Sequence, residues 1–223
     1  MASSARRSLV LLCRHGETAA NAEGRVQGAG LDPPLNEKGR EQARALGGLL
    51  ADLEVHGAFA SELQRARETA EAILEARDSS CAAKKKGLSV VPELKEMNYG
   101  QLEGQLLKDI RTDIQSVSEA WARGDRDAAC PGGGESPRLV FDRAHAAIQS
   151  ICAAHAPGSK LLFVTHSRLN KVLLSELHAD KPGMHKVPQH NCCVNVLSFD
   201  HDSAAVEVHA INLTTADELR AAL

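Results

Sequence analysis

Residues 8–18 read Ser8-Leu9-Val10-Leu11-Leu12-Cys13-Arg14-His15-Gly16-Glu17-Thr18. An unbroken apolar run gives way at once to a cation, an imidazole and a glycine. So short a run, without alternation, is expected of a strand covered on both faces, and the polar residues behind it are delivered to the strand's end. The same grammar returns in Lys160–Thr165 (KLLFVT), followed by His166-Ser167. Gly57–Ser61 and Leu88–Pro92 are shorter strand candidates, and Cys192–Phe199 and Ala205–Ile211 two closing ones.

Helical spacing fills the intervals. Asn36 can cap a helix carrying Ala43, Leu46, Leu49, Leu50 and Leu53. Leu63, Ala66, Ala70, Ile73 and Leu74 mark a second stripe, and Leu169, Leu173 and Leu177 another. Ser136-Pro137, a capping serine before a first-turn proline, opens a helix with Val140, Ala144, Ile148 and Ile151. Strand and helix alternate, which predicts a three-layer α/β/α sandwich with a mostly parallel sheet. Aromatic residues are only 3%, so the core must rest on Leu, Val, Ile and Ala, which suits that architecture. At 223 residues the chain suits one domain, residues 1–223. Residues 100 to about 134 are more polar, with an amphipathic middle (Leu106, Leu107, Ile110, Ile114, Val117, Trp121) ending in Pro131-Gly132-Gly133-Gly134. They are expected to form a small helical insertion over the active site, too short for a core of its own. Lys84-Lys85-Lys86 reads as a solvated loop.

Composition excludes several classes. With 26 Lys+Arg against 29 Asp+Glu there is no basic excess, so no nucleic-acid partner is expected. Leu9–Cys13 is too short for a signal-peptide core or a membrane span, so no membrane partner is expected either. The six cysteines show no Cys-x-x-Cys spacing and read as reduced thiols of a cytoplasmic protein. No cofactor and no metal site is expected, since the histidines lack metal-ligand spacing. Pro131-Gly132-Gly133-Gly134 lacks the Lys-Ser/Thr of a P-loop, and no Cys is followed after five residues by Arg.

Ligands in such folds collect at the carboxyl ends of strands. There the sequence places Arg14-His15, then Arg65 beyond the second strand, Glu96 beyond the third, and His166-Ser167. If the two histidine-bearing strands are parallel neighbours, both imidazoles face one point. Two guanidiniums offer bidentate donors to a phosphate or a carboxylate, and their charge keeps His15 neutral and nucleophilic. Glu96, beside phosphate oxygens, is expected to hold a proton for the leaving oxygen.

These residues, in this order, resemble the histidine phosphatase superfamily, also named after phosphoglycerate mutase, and in particular its phosphatases. The resemblance runs from Leu11 to about Leu213. It is carried by LLCRHGET, by Asn21 and Arg25-Val26-Gln27-Gly28, by Pro34 to Gly39, and by Ser61 to Ala66. Glu96 through Gly100, Gly133-Gly134-Glu135-Ser136 and Val164-Thr165-His166 complete it. It implies that His15 is phosphorylated, that Arg14, Arg65 and His166 form the phosphate pocket, and that Glu96 is the proton donor. Residues matching Asn21 and Gln27 are implied to contact the transferred group or the substrate, and Gly28 and Arg25 share that stretch. Where the family usually continues its second histidine with small residues, this chain has Ser167 and Arg168. Ser167 can offer its backbone N–H to an anion, and Arg168 either reaches substrate or is an exposed helix charge. Met97 stands where mutases carry an arginine. The expectation is therefore a histidine acid-type phosphatase, a metal-independent phosphomonoester hydrolase working through phosphohistidine on a small phosphorylated metabolite. The alternatives are a mutase-type phosphotransferase and a non-catalytic phospho-ligand-binding protein.

Overall fold

The computed structural model describes residues 6–77 and 80–223; residues 1–5, 78 and 79, included in the expected 1–223 domain, lie outside the described residues. Six strands form one sheet: β1 (Arg7–Arg14), β2 (Gly57–Ala60), β3 (Leu88–Val90), β4 (Lys160–Thr165), β5 (Val194–Asp200) and β6 (Val206–Leu213). Their spatial order is β3-β2-β4-β1-β5-β6. β1 to β4 are mutually parallel where they pair, and β5 alone runs against its neighbours β1 and β6.

The continuous apolar run of β1 is explained by burial on both faces. Val10 and Leu12 belong to one core cluster, with Leu161 and Phe163 of β4 and with α6 (Pro137–Ala153) and α7 (Ser167–Leu177). Leu11 and Cys13 face the opposite cluster, with Leu162 and Val164 of β4 and with α2 (Glu37–Leu49) and α3 (Gln64–Glu75). Strand side chains alternate with period two, so every residue of such a strand must be apolar. The three-layer expectation is met.

The caps read from sequence are in place. Asn36 accepts the Gly39 N–H ahead of α2, and Ser136 accepts that of Leu139 ahead of α6. Some boundaries differ. Leu53 lies beyond α2, and Leu63 is the residue before α3 rather than in its first turn. The lysine run is not a loop. It closes α4 (Ala82–Lys86), with Lys84 Nζ donating to the carbonyls of Glu75 and Arg77. Two further short helices, α1 (Ala19–Glu23) and α8 (Ala216–Ala222), each begin in a capping box, at Thr18 and at Thr215.

Within residues 100–134 the helix is α5 (Arg111–Ala122), so Leu106 and Leu107 precede it and Leu107 is exposed. Trp121 is buried, its Nε1 donating to Ala128 O. The segment is stitched to the loop after α1: Val26 N donates to Gln105 O and Gly104 N to Val26 O. Gly100, at φ +59°, starts it where a Cβ would sit 2.2 Å from Pro131 O, so only glycine fits.

Candidate active site

β1 and β4 are paired with Arg14 opposite Thr165, so the next residue of each strand is a histidine at the same edge. The ring centroids of His15 and His166 lie 5.2 Å apart. His15 Nδ1 is 2.6 Å from Gly16 O and donates to it, which leaves Nε2 with the lone pair. The backbone around the ring is fixed from two sides: Gly16 N donates to Thr69 Oγ1 and Asn191 Nδ2 to His15 O. Burial, followed by the charges of Arg65 and Arg14, pushes the His15 imidazole well below the ordinary 6.5, against a smaller opposing effect of its bond to Gly16. His166, fully buried, is lowered by burial, by Arg65 and by His15.

Both guanidiniums are anchored from behind. Arg14 Nη1 donates to Gln189 O at 2.6 Å. Arg65 Nη1 and Nη2 donate to the carbonyls of Leu31 and Gly28, each at 2.8 Å. Arg14 Nε, Arg65 Nε and both ring nitrogens of His166 are buried without a hydrogen-bond partner. Buried polar atoms are nearly always paired. Three of these nitrogens can donate, Nε of Arg14, Nε of Arg65 and one nitrogen of the neutral His166 ring, and unpaired donors of this kind suit an anion with several acceptor oxygens.

Glu96, almost fully buried, sits at the N-terminus of α7. Its Oε1 accepts the N–H groups of Met97 and Leu169, and its Oε2 that of Arg168. Arg143 holds the chain leading into it. This guanidinium grips both oxygens of Glu135 and donates to the carbonyls of Glu93, Lys95 and Glu96. Burial works against ionisation of Glu135, yet Arg143 and the Asn98 N–H keep its carboxyl below the ordinary range.

These groups open onto a cavity of about 200 Å³ lined by Arg14, His15, Arg65 and Glu96. Asn21, Arg25, Gln27, Gly28, Ser167 and Arg168 line it too, so every residue singled out from sequence except His166 reaches its wall. Gln27 Oε1 accepts the Thr18 hydroxyl, and Asn21 closes the capping box with Thr18. The Arg25 guanidinium is engaged by Glu23 and by Gly104 O. Met97 is fully buried and lines none of the cavity.

Sequence reasoning passed over the supports. Gln189 orients Arg14 and is itself held by Asn170 and Asn195, and Asn195 Nδ2 donates to Leu12 O. The signal was present: Asn170 interrupts a leucine stripe and Asn195 an apolar strand, and a buried amide there must have partners. Glu103 was missed as well. It accepts the N–H groups of Ala29, Gly30 and Tyr99.

A family model for branch 1 of the histidine phosphatase superfamily matches residues 10–212. The chain belongs to this superfamily. Among curated members it is 33% identical over 204 residues to phosphoglycerate mutase-like protein 4 of Arabidopsis thaliana, covering 89% of this chain and 83% of that one. It is 35% identical over 158 residues to a metal-independent phosphoserine phosphatase of the same plant, spanning 70% of this chain and 63% of that protein. Among solved structures of the superfamily, the phosphoglycerate mutase from Bacillus anthracis superposes with a TM-score of 0.82 at 26% identity, over 96% of each chain.

Proposed function

We propose that the chain hydrolyses a small phosphomonoester in two steps through a phosphohistidine at His15. The observation that carries this reading is the neutral His15 ring, its Nε2 lone pair free, amid the unpaired nitrogens of Arg14, Arg65 and His166. In the first step Nε2 attacks phosphorus in line, the phosphorus–ester oxygen bond breaks, and Glu96 passes a proton to the departing oxygen. Arg14, Arg65 and His166 neutralise the equatorial oxygens. In the second step Glu96 takes a proton from water, whose oxygen attacks phosphorus, and the nitrogen–phosphorus bond breaks to release inorganic phosphate. Residues 100–134 serve as the cap of a single histidine-phosphatase-like domain. The likeness to a metal-independent phosphoserine phosphatase supports hydrolysis without a metal. Among the described residues no cluster of His, Cys, Asp or Glu has the form of a metal site.

Hydrolysis is favoured over mutase chemistry because Met97, where mutases carry an arginine, is apolar and buried away from the cavity. Six unpaired thiols support a reducing compartment such as the cytoplasm, and no helix among the described residues is long and apolar enough to cross a membrane. Phosphate release from a panel of phosphomonoesters, with an alkaline denaturing quench and mass analysis for phosphate on His15, tests the proposal. Stoichiometric free phosphate and a labile adduct at His15 are expected. Transfer between substrate positions without release, or an unmodified His15, would overturn it.

A further inference from the structure

Five of the six unpaired thiols are held protonated by their surroundings. Burial pushes Cys130 and Cys193 up to about 11, Cys152 and Cys192 up to about 12, and Cys13 well above the ordinary range. Thiols of this kind are poor nucleophiles. Cys81 differs. It is half-buried, immediately ahead of α4, and it stands beside a cation with nothing to neutralise it.

That cation is Arg77. The residue is 4% exposed, its Nη1 donates to Leu53 O, and its Nε and Nη2 have no hydrogen-bond partner. Among the described residues no carboxylate forms an ion pair with it, whereas Arg143 has Glu135 and Arg126 has Glu176. A desolvated cation is costly unless an anion answers it. Arg14 and Arg65 share the condition, and both face the proposed phosphoryl site. Arg77 lies elsewhere, at the opposite edge of the sheet, ahead of β2, and neither it nor Cys81 lines the cavity that holds His15. One short segment brings the two side chains together: the guanidinium is bonded to Leu53 O, and Cys81 Sγ lies 3.5 Å from Val55 O. The S–H group is a weak donor, so ionisation forfeits little at Val55. Lys84 Nζ is occupied by the carbonyls of Glu75 and Arg77. Burial works against ionisation of Cys81, yet the backbone N–H groups of Lys84 and Ala83 and the Arg77 charge hold the thiol below its ordinary range. The sulfur in turn opposes the lowering of Arg77 by burial. A partly open thiol in a cationic setting is the arrangement of a reactive cysteine.

We infer that Cys81, with Arg77 as its counter-cation, is a modification site that forms a mixed disulfide with a low-molecular-weight disulfide of the glutathione type. The Cys81 thiolate attacks one sulfur of oxidised glutathione and a new S–S bond forms between them. The original S–S bond breaks, and the second glutathione leaves as a thiolate that takes up a proton. The Cys81 sulfur is oxidised and the departing sulfur reduced, so no other oxidant enters. The inference is independent of the phosphatase reading.

Reduced, folded protein incubated with oxidised glutathione and mapped by mass analysis should carry one glutathione, on Cys81, that a thiol reductant removes. Iodoacetamide at pH 7 should alkylate Cys81 ~10-fold or more faster than any other cysteine. The alkylation rate at Cys81 should titrate with a midpoint below the ordinary thiol value of 9.0, and Arg77→Met should move that midpoint upward. Arg77→Lys, which keeps the charge, should leave it lower than the methionine variant does. Loosened packing would instead raise the rate at every pH, so the midpoint separates charge from structure. If Arg77→Met does not fold, the adduct's position and the wild-type midpoint decide. Glutathione on another cysteine or on none, a wild-type midpoint at or above the ordinary value, or an unchanged midpoint in folded Arg77→Met overturns the inference.

Discussion

His15 and His166 stand with ring centroids 5.2 Å apart and planes tilted by 56°, and neither ring is paired with a carboxylate. Their closeness follows from the register of β1 on β4, where His15 N donates to Thr165 O. Two imidazoles so buried, beside Arg65 and Arg14, resist protonation, and that gives the free protein a definite response to acid.

Both histidines have folded-state pKa values below the ordinary 6.5. Above that value native and unfolded chains alike keep them neutral. As pH falls below it, the unfolded chain takes up protons that the native one refuses, so stability is lost. Thermal melts between pH 7.5 and 5 should show a falling Tm, with a shallower fall in His166→Asn. An identical slope in the variant would show that His166 does not titrate in this way.

His15→Ala should lose at least ~10³-fold in kcat, because it removes the proposed nucleophile. Its melting curve and circular dichroism establish that it is folded. Retention of most activity by purified His15→Ala would remove this residue from the mechanism.

Glu96→Gln tests the proton. An alkyl phosphate has a poor leaving group and should suffer far more than an activated aryl phosphate, which leaves with little protonation. Paired assays on the two substrates check it, and equal losses would assign Glu96 a different role.

The proposed mechanism neutralises charge with side chains alone, so full turnover is expected after dialysis against EDTA. Restoration of a lost activity by a divalent cation would contradict this.

Glu103 acts at a distance. It accepts the N–H groups of Ala29 and Gly30 from the loop whose Gly28 and Leu31 carbonyls hold Arg65. A Cβ on Gly28 would lie 1.9 Å from its Oε1, so the loop closes tightly on this carboxylate. Glu103→Gln leaves at least one of its three N–H donors facing an amide N–H and should cost about 1–3 kcal/mol of stability. If it positions Arg65, KM for substrate and the Kd of inorganic phosphate should both rise. Destabilisation with unchanged phosphate affinity would confine Glu103 to a structural part.

The sequence by itself determined the alternation of strand and helix, the double burial of β1 and β4, and the histidine at the end of each. These are local matters, written in the period of the apolar residues and in caps such as Asn36 and Ser136. The order of Arg14, His15, Arg65, Glu96 and His166 along the chain was legible for the same reason, since each lies at or beyond the end of one of the four parallel strands β1 to β4. The tertiary structure alone decided what orients them. Gln189 behind Arg14, Thr69 beneath Gly16, Arg143 strapping the Glu96 segment and Glu103 closing the loop onto Arg65 all act across gaps of 47 to 175 residues. The fate of Arg168 belongs with them. Its neighbours Tyr99 and Trp121 come from just before the cap and from within it, and pairings of that kind are set by the packing of distant segments, which no local spacing records.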